Sequence, residues 1–207
     1  MKSYPSWDQV KDALGDKVIA SLGTAVAASR PELADYRRAF PSWVAAHTER
    51  GLAGWIHDRI WFHLAGTLDG VSDVTVIDKE PHREIWVGYS YRLRIKRHHD
   101  DGHVSTYRTS EALDFLTQVP VQPEFDGLEE MHLIAGYIWD KETRQIGPAV
   151  VSLRDGDNVL WIQELVEIPD EGTGTGTVSI TPQTPTPSGP QIGELKRPDA
   201  KEGTESR

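Results

Sequence analysis

A change of hydrophobic period near Asp73 constrains this chain more than any other feature. From about Thr48 to Leu68, the residues Leu52, Trp55, Ile56, Ile60, Phe62 and Leu64 recur at helical spacing and give a broad apolar face, which Asp69-Gly70 terminates. Beyond Asp73 the period is two. Val74 and Val76 alternate with polar neighbours, and from Ile85 the odd positions carry Ile85, Val87, Tyr89, Tyr91, Leu93 and Ile95. The even positions include Ser90, Arg92, Arg94, Lys96 and His98. A pleated strand sends these two sets to opposite faces, so one face belongs to a core and the other is cationic.

The flanking segments fill in an α+β plan. Ser6-Trp7-Asp8-Gln9 is a capping box opening a short helix toward Leu14, Asp16 to Ala28 is Ala-rich, and Pro31 suits the first turn of a further helix. Pro41 interrupts again, so the helices before Thr48 are predicted to be short. Asp78 to His82 reads as a polar turn, and Asp100-Asp101-Gly102 as a hairpin loop returning into a partner strand, Val104 to Arg108. Thr109-Ser110-Glu111 starts a short helix to about Gln118, and a three-stranded meander follows at Met131 to Trp139, Ile146 to Leu153 and Val159 to Val166.

Helices first, then mostly antiparallel strands with one inserted helix, predict N-terminal helices packed on a mostly antiparallel sheet rather than βαβ alternation. The expected domain covers residues 1–169, helical over 1–70 and mostly β over 71–169. All seven Trp lie between Trp7 and Trp161. From 170 to 207 the chain offers a Gly-Thr run (Gly172 to Thr177) and Pro182, Pro185, Pro187 and Pro190, a composition that cannot offset its own ordering entropy and predicts a disordered tail.

Charge and cysteine count narrow the function classes. The net charge of −10 opposes broad adhesion to nucleic acid or anionic lipid. From Glu171 onward there are five acidic and four basic residues, so nearly all of the excess belongs to the folded part, where the strand with Arg92, Arg94 and Lys96 is a local basic island. The absence of Cys removes disulfides, thiolate metal sites and cysteine nucleophiles, and points to a reducing cytoplasm. Met1 to Pro5 has no apolar stretch behind Lys2, and Val18 to Ala28 is too short and polar to span a bilayer; no membrane role is expected.

The basic island is the main candidate site: Arg92, Arg94 and Lys96 on one strand face, with Arg108 on the predicted partner strand. Such a ridge could hold phosphate oxygens, as in nucleic acid, or form a sheet face whose cations pair with Glu84, Glu129 or Asp140. His98-His99-Asp100-Asp101-Gly102-His103 collects imidazoles and carboxylates, but a hairpin tip lacks the support a zinc site needs and reads as a solvated turn. His57 and His63, six residues apart on one helix, point to different sides and do not form a metal pair. No metal and no cofactor are expected.

The chain contains no Gly-x-Ser-x-Gly, no Gly-x-x-x-x-Gly-Lys-Ser/Thr and no nuclease-type spacing of carboxylates. Gly172 to Thr177 has no helix after it, and Asp155-Gly156-Asp157-Asn158 has Val159 and Leu160 where a calcium loop needs a ligand and a glycine.

Three stretches, Ile56 to Trp61, Tyr91 to His98 and Ile146 to Gly156, resemble a family of actinobacterial proteins with no assigned activity. The resemblance spans roughly Ile56 to Glu164 and implies a bacterial cytoplasmic protein in the neighbourhood of small regulatory or toxin–antitoxin modules. It transfers no catalytic residues. The leading expectation is a non-catalytic interaction or regulatory module with a protein partner. Nucleic-acid binding through the basic strand is the alternative, and a further one is an enzyme whose site gathers distant residues such as Glu84, Arg94 and His132.

Overall fold

Ser6 caps the first helix as its motif requires: its Oγ accepts from the Gln9 N–H, and the Gln9 side chain accepts from the Ser6 N–H. In the computed structural model, residues 4–79, 82–106, 109–118 and 130–167 are described, and they all belong to the unit Met1–Glu171. The predicted tail over 170–207 lies outside the described residues.

Helix α1 (Trp7–Ala39) bends at Gly15, whose φ of 77° breaks the helical run just after Leu14. The expectation of a new helix at Pro31 is corrected, since α1 continues through it to Ala39. The contacts of Arg30 just before the proline and the burial of Leu33 beyond it hold that last part in place. Helix α2 (Pro41–Ala46) turns the corner to α3 (Glu49–Leu68), which Thr48 caps by accepting from the Gly51 N–H.

Strands β1 (Val74–Lys79), β2 (His82–Val87) and β3 (Tyr91–His98) form an antiparallel run. The continuous alternation from Ile85 to Ile95 is therefore two strands and not one. Gly88, at φ 57°, opens a three-residue turn, and the register pairs Ile85 with Leu93 and Val87 with Tyr91. Antiparallel partners share a face, so the odd positions of both strands lie on the core side, while Tyr89 in the turn between them is exposed.

The predicted return strand from Val104 to Arg108 is also corrected. Val104 makes one isolated bridge to His98, Arg108 lies outside the described residues, and the neighbour of β3 is instead β4 (Met131–Asp140), in parallel register from Tyr91↔Met131 to His98↔Ile138. A parallel pair needs a long crossover, which here contains α4 (Ser110–Leu116). The meander is as expected: β4, β5 (Gln145–Asp155) and β6 (Asn158–Glu164) pair antiparallel, giving a six-stranded sheet in sequence order. N-terminal helices on a mostly antiparallel sheet make this an α+β fold.

The main core lies between α1, α3 and one face of the sheet. Leu22, Val26, Ile56, Ile60 and Leu64 meet Ile85, Leu93, Ile95, Leu133, Ala135, Val151 and Leu153 there. Trp61 joins this core at 3% exposure, whereas Phe62, predicted on the apolar face, is 62% exposed. The other sheet face carries Arg92, Arg94, Lys96, Ile134, Val150 and Ser152, with α4 against it through Phe115. Gly136 lets the parallel pair close: a Cβ there would lie 1.9 Å from the Lys96 carbonyl oxygen.

Candidate functional site

The basic face of β3 answers its own charge. Glu84, one strand away and buried, accepts from Arg94 Nε at 2.8 Å and Nη2 at 2.6 Å, and from Trp86 Nε1 at 2.8 Å. Burial alone would raise its pKa, but the Trp86 and Arg94 donors outweigh it and hold the carboxyl below its usual value. The Arg94 guanidinium lies 4.0 Å from the centre of the Phe115 ring, which stacks on His132 at 4.4 Å. Arg92 rests 4.0 Å over Trp86 and pairs with Glu130 at 2.5 Å.

Glu130 also meets His132 Nε2 at 2.8 Å, and His132 Nδ1 lies 3.1 Å from the Phe115 carbonyl. Arg94 and His132 thus meet on the Phe115 ring, and Glu84 joins them only through Arg94. Their polar groups are nonetheless engaged with one another and with the backbone. Lys96 differs: among the described residues it has no ion pair, and burial, then Arg94, lowers its pKa. Arg108 lies outside the described residues, and so does Glu129, one of the anticipated partners.

The histidine-rich turn divides. His98 belongs to β3 and is fully buried, with Nε2 2.9 Å from Ser152 Oγ, and burial pushes its pKa down to about 4. His99 Nε2 meets Ser105 Oγ at 2.9 Å, and no cluster of three or more metal-ligating residues exists among the described residues.

A second polar cluster lies between α3 and the β1–β2 hairpin, where Arg83 donates to Asp78 at 2.9 Å and to Asp58 at 2.5 Å. A cleft of about 560 Å3 opens there, lined by Asp58, Trp61, Phe62, His63, Asp78 and Arg83 among others. Both carboxylates are occupied by one guanidinium.

The outer face of the helical layer carries a feature that the sequence pattern concealed. Phe40 and Trp43, 44% and 63% exposed, stack at 4.8 Å where α1 turns into α2. Phe40 touches Tyr36, and Tyr36 stacks on Trp55 of α3 at 4.8 Å while its hydroxyl meets His47 Nε2 at 2.9 Å. One turn along α3, Arg59 grips Glu32 through two bonds of 2.7 Å and lies 4.8 Å over the exposed Phe62. His63 reaches the same Glu32 at 3.1 Å. The result is a strip of aromatic rings and one held guanidinium along α1 and α3. Trp55, Arg59 and Phe62 follow the i, i+4, i+7 spacing of one helical face, which is the signal that could have revealed it.

The fold and these surfaces define an α+β protein whose polar clusters are largely self-neutralised. Comparison with models of known protein families, with curated proteins and with solved structures gives no match to this chain.

Proposed function

We propose that this protein is a non-catalytic interaction module of the bacterial cytoplasm, which docks a protein partner through the aromatic strip on α1, α2 and α3. The observation that carries the reading is the exposure of Phe40 and Trp43, held by stacking on each other, and of Phe62, held under the Arg59 guanidinium. Large, rigid aromatic side chains give much contact area at little cost in side-chain entropy, and aromatic and Arg residues are enriched among the residues that dominate interface energetics. The expected partner presents aliphatic side chains over the rings. The commitment of Arg92 and Arg94 to Glu130 and Glu84 weighs against the nucleic-acid alternative.

The test is quantitative co-purification of the full chain from its source cells at near-physiological salt, beside Trp43→Ala/Phe62→Ala and Arg92→Gln variants. A partner kept by wild type and Arg92→Gln, but weakened about 30-fold or more by the aromatic double variant, matches hot-spot losses of about 2 kcal/mol. Recovery of no partner, or equal retention by all three proteins, overturns the proposal. A DNA or RNA mobility shift at low salt that Arg94→Gln abolishes would favour the basic face instead.

A further inference from the structure

Arg30, Leu33, Ala34 and Arg37 follow the i, i+3, i+4, i+7 spacing and share a face of α1, which looks onto Gln145 and Ile146 across a cavity of about 200 Å3. The two guanidiniums at its ends differ. Arg30 is engaged: Nε donates to the Ile146 carbonyl at 3.0 Å, Nη2 to the Gly147 carbonyl and Glu167 Oε1 at 2.5 Å each, and Nη1 to the other Glu167 oxygen. Arg37 donates from Nη2 to the Arg144 carbonyl and has no carboxylate partner among the described residues. Most of its five N–H donors stay open.

Its surroundings add positive charge. Arg144 Nη2 reaches Glu49 at 3.3 Å, yet Glu49 also serves Arg97 at 3.1 Å, and Arg144 Nε is buried without a partner. Arg144 holds φ 54°, a conformation that non-glycine residues adopt at a cost, and in this turn its carbonyl meets Arg37. Burial, then the nearby Arg144 charge, lowers the Arg37 pKa, so Arg37 sits where an anion would relieve it. Arg38, one residue on, is exposed and answered by Asp35 at 2.6 Å.

We propose that this cavity binds one tetrahedral oxyanion of the phosphate class, free or as the terminal phosphate of a small monoester, with Arg37 as its principal ligand. A planar guanidinium fork holds two phosphate oxygens at once. The volume accommodates a phosphate group but is below the range of drug-sized ligand pockets, so any organic part extends outward. The site uses none of the rings of the aromatic strip and stands independently of the docking role.

Isothermal titration of the full chain with inorganic phosphate at constant ionic strength in chloride tests it, with glycerol phosphate and acetate in parallel. Saturable phosphate binding is expected, weakened about tenfold or more in Arg37→Gln. Arg37→Lys should retain part of it, because an ammonium keeps the charge and loses the fork. Arg38→Gln should bind as wild type does. Tighter binding of glycerol phosphate assigns the monoester form, and equal binding the free anion. The proposal is overturned by phosphate heats no larger than those of chloride, by acetate binding as well as phosphate, or by Arg37→Gln binding like wild type. An equal loss in Arg38→Gln also overturns it, since diffuse charge would then explain the binding.

Discussion

Glu84→Ala should destabilise the fold by about 3–5 kcal/mol, the cost of breaking a buried ion pair from one side. The Glu84 and Arg94 side chains are 8% and 15% exposed, and Glu84 takes three hydrogen bonds. Without the carboxylate, the guanidinium stays between Phe115 and the sheet, with Glu111 at 3.6 Å as its remaining ion partner among the described residues, and the Trp86 N–H loses its acceptor. A solvent-exposed pair would contribute only about 0–1 kcal/mol. Replacing both groups with apolar ones, Glu84→Leu/Arg94→Met, should cost far less than the two single changes together, because no charge is then left buried.

Urea unfolding with an unchanged slope measures these differences, and the thermal midpoint of Glu84→Ala should fall by roughly 10 °C. The pH dependence carries a sign. The folded Glu84 pKa lies below its usual 4.5, so the unfolded chain binds the proton more readily, and this stabilisation is present above about pH 4.5 and lost as pH falls through the folded value. The gap between wild type and Glu84→Gln should therefore narrow in acid. A cost below about 1 kcal/mol for Glu84→Ala, with additive single and double variants, would show that the β3 face is open to water and sink the reasoning.

Gly136→Ala should abolish folding or cost more than about 4 kcal/mol, read by circular dichroism and urea, because its Cβ would meet the Lys96 carbonyl at a φ of 151°. Gly54→Ala, at an exposed site in α3 with nothing within 4 Å, should instead stabilise by about 0.5–1 kcal/mol. His98 favours its neutral form when folded. Its contribution is fully present above about pH 6.5 and lost as pH falls toward 4, so His98→Gln should flatten the stability profile in that window, with an imidazole titration near 4 by NMR as the direct check. Glu167→Ala should release the 165–167 segment from Arg30, detected as faster hydrogen exchange at Leu165.

The sequence revealed what short-range periodicity controls and hid what packing decides. The Ser6 cap, the start of α3 near Thr48, the β4–β6 meander and the two-faced character of β3 all rest on residues within a few positions of one another. The turn at Gly88 was hidden because an odd-length loop between antiparallel strands keeps the parity of the pattern. The parallel β3–β4 pair was hidden because its partner lies beyond a crossover and Gly136, the residue that permits it, resembles any strand glycine. Phe62 and Trp61 exchanged places because adjacent positions at a helix boundary face differ by about 100°, and hydrophobicity does not distinguish them.

The basic strand was conspicuous because its cations are close in sequence, yet closeness in sequence measures only how many charges a face holds. What separates a structural arginine from a ligand-seeking one is whether its donors are already used. Arg94 has a buried carboxylate and a ring, and Arg92 has Glu130 and Trp86, so the chain's acidic excess reaches this face as direct partners. Arg37 stands alone in the sequence pattern and yet faces a cavity with one backbone acceptor and a second guanidinium beside it. The two arginines should therefore respond oppositely: Arg94→Gln lowers stability and leaves phosphate binding intact, while Arg37→Gln loses phosphate binding at little cost in stability.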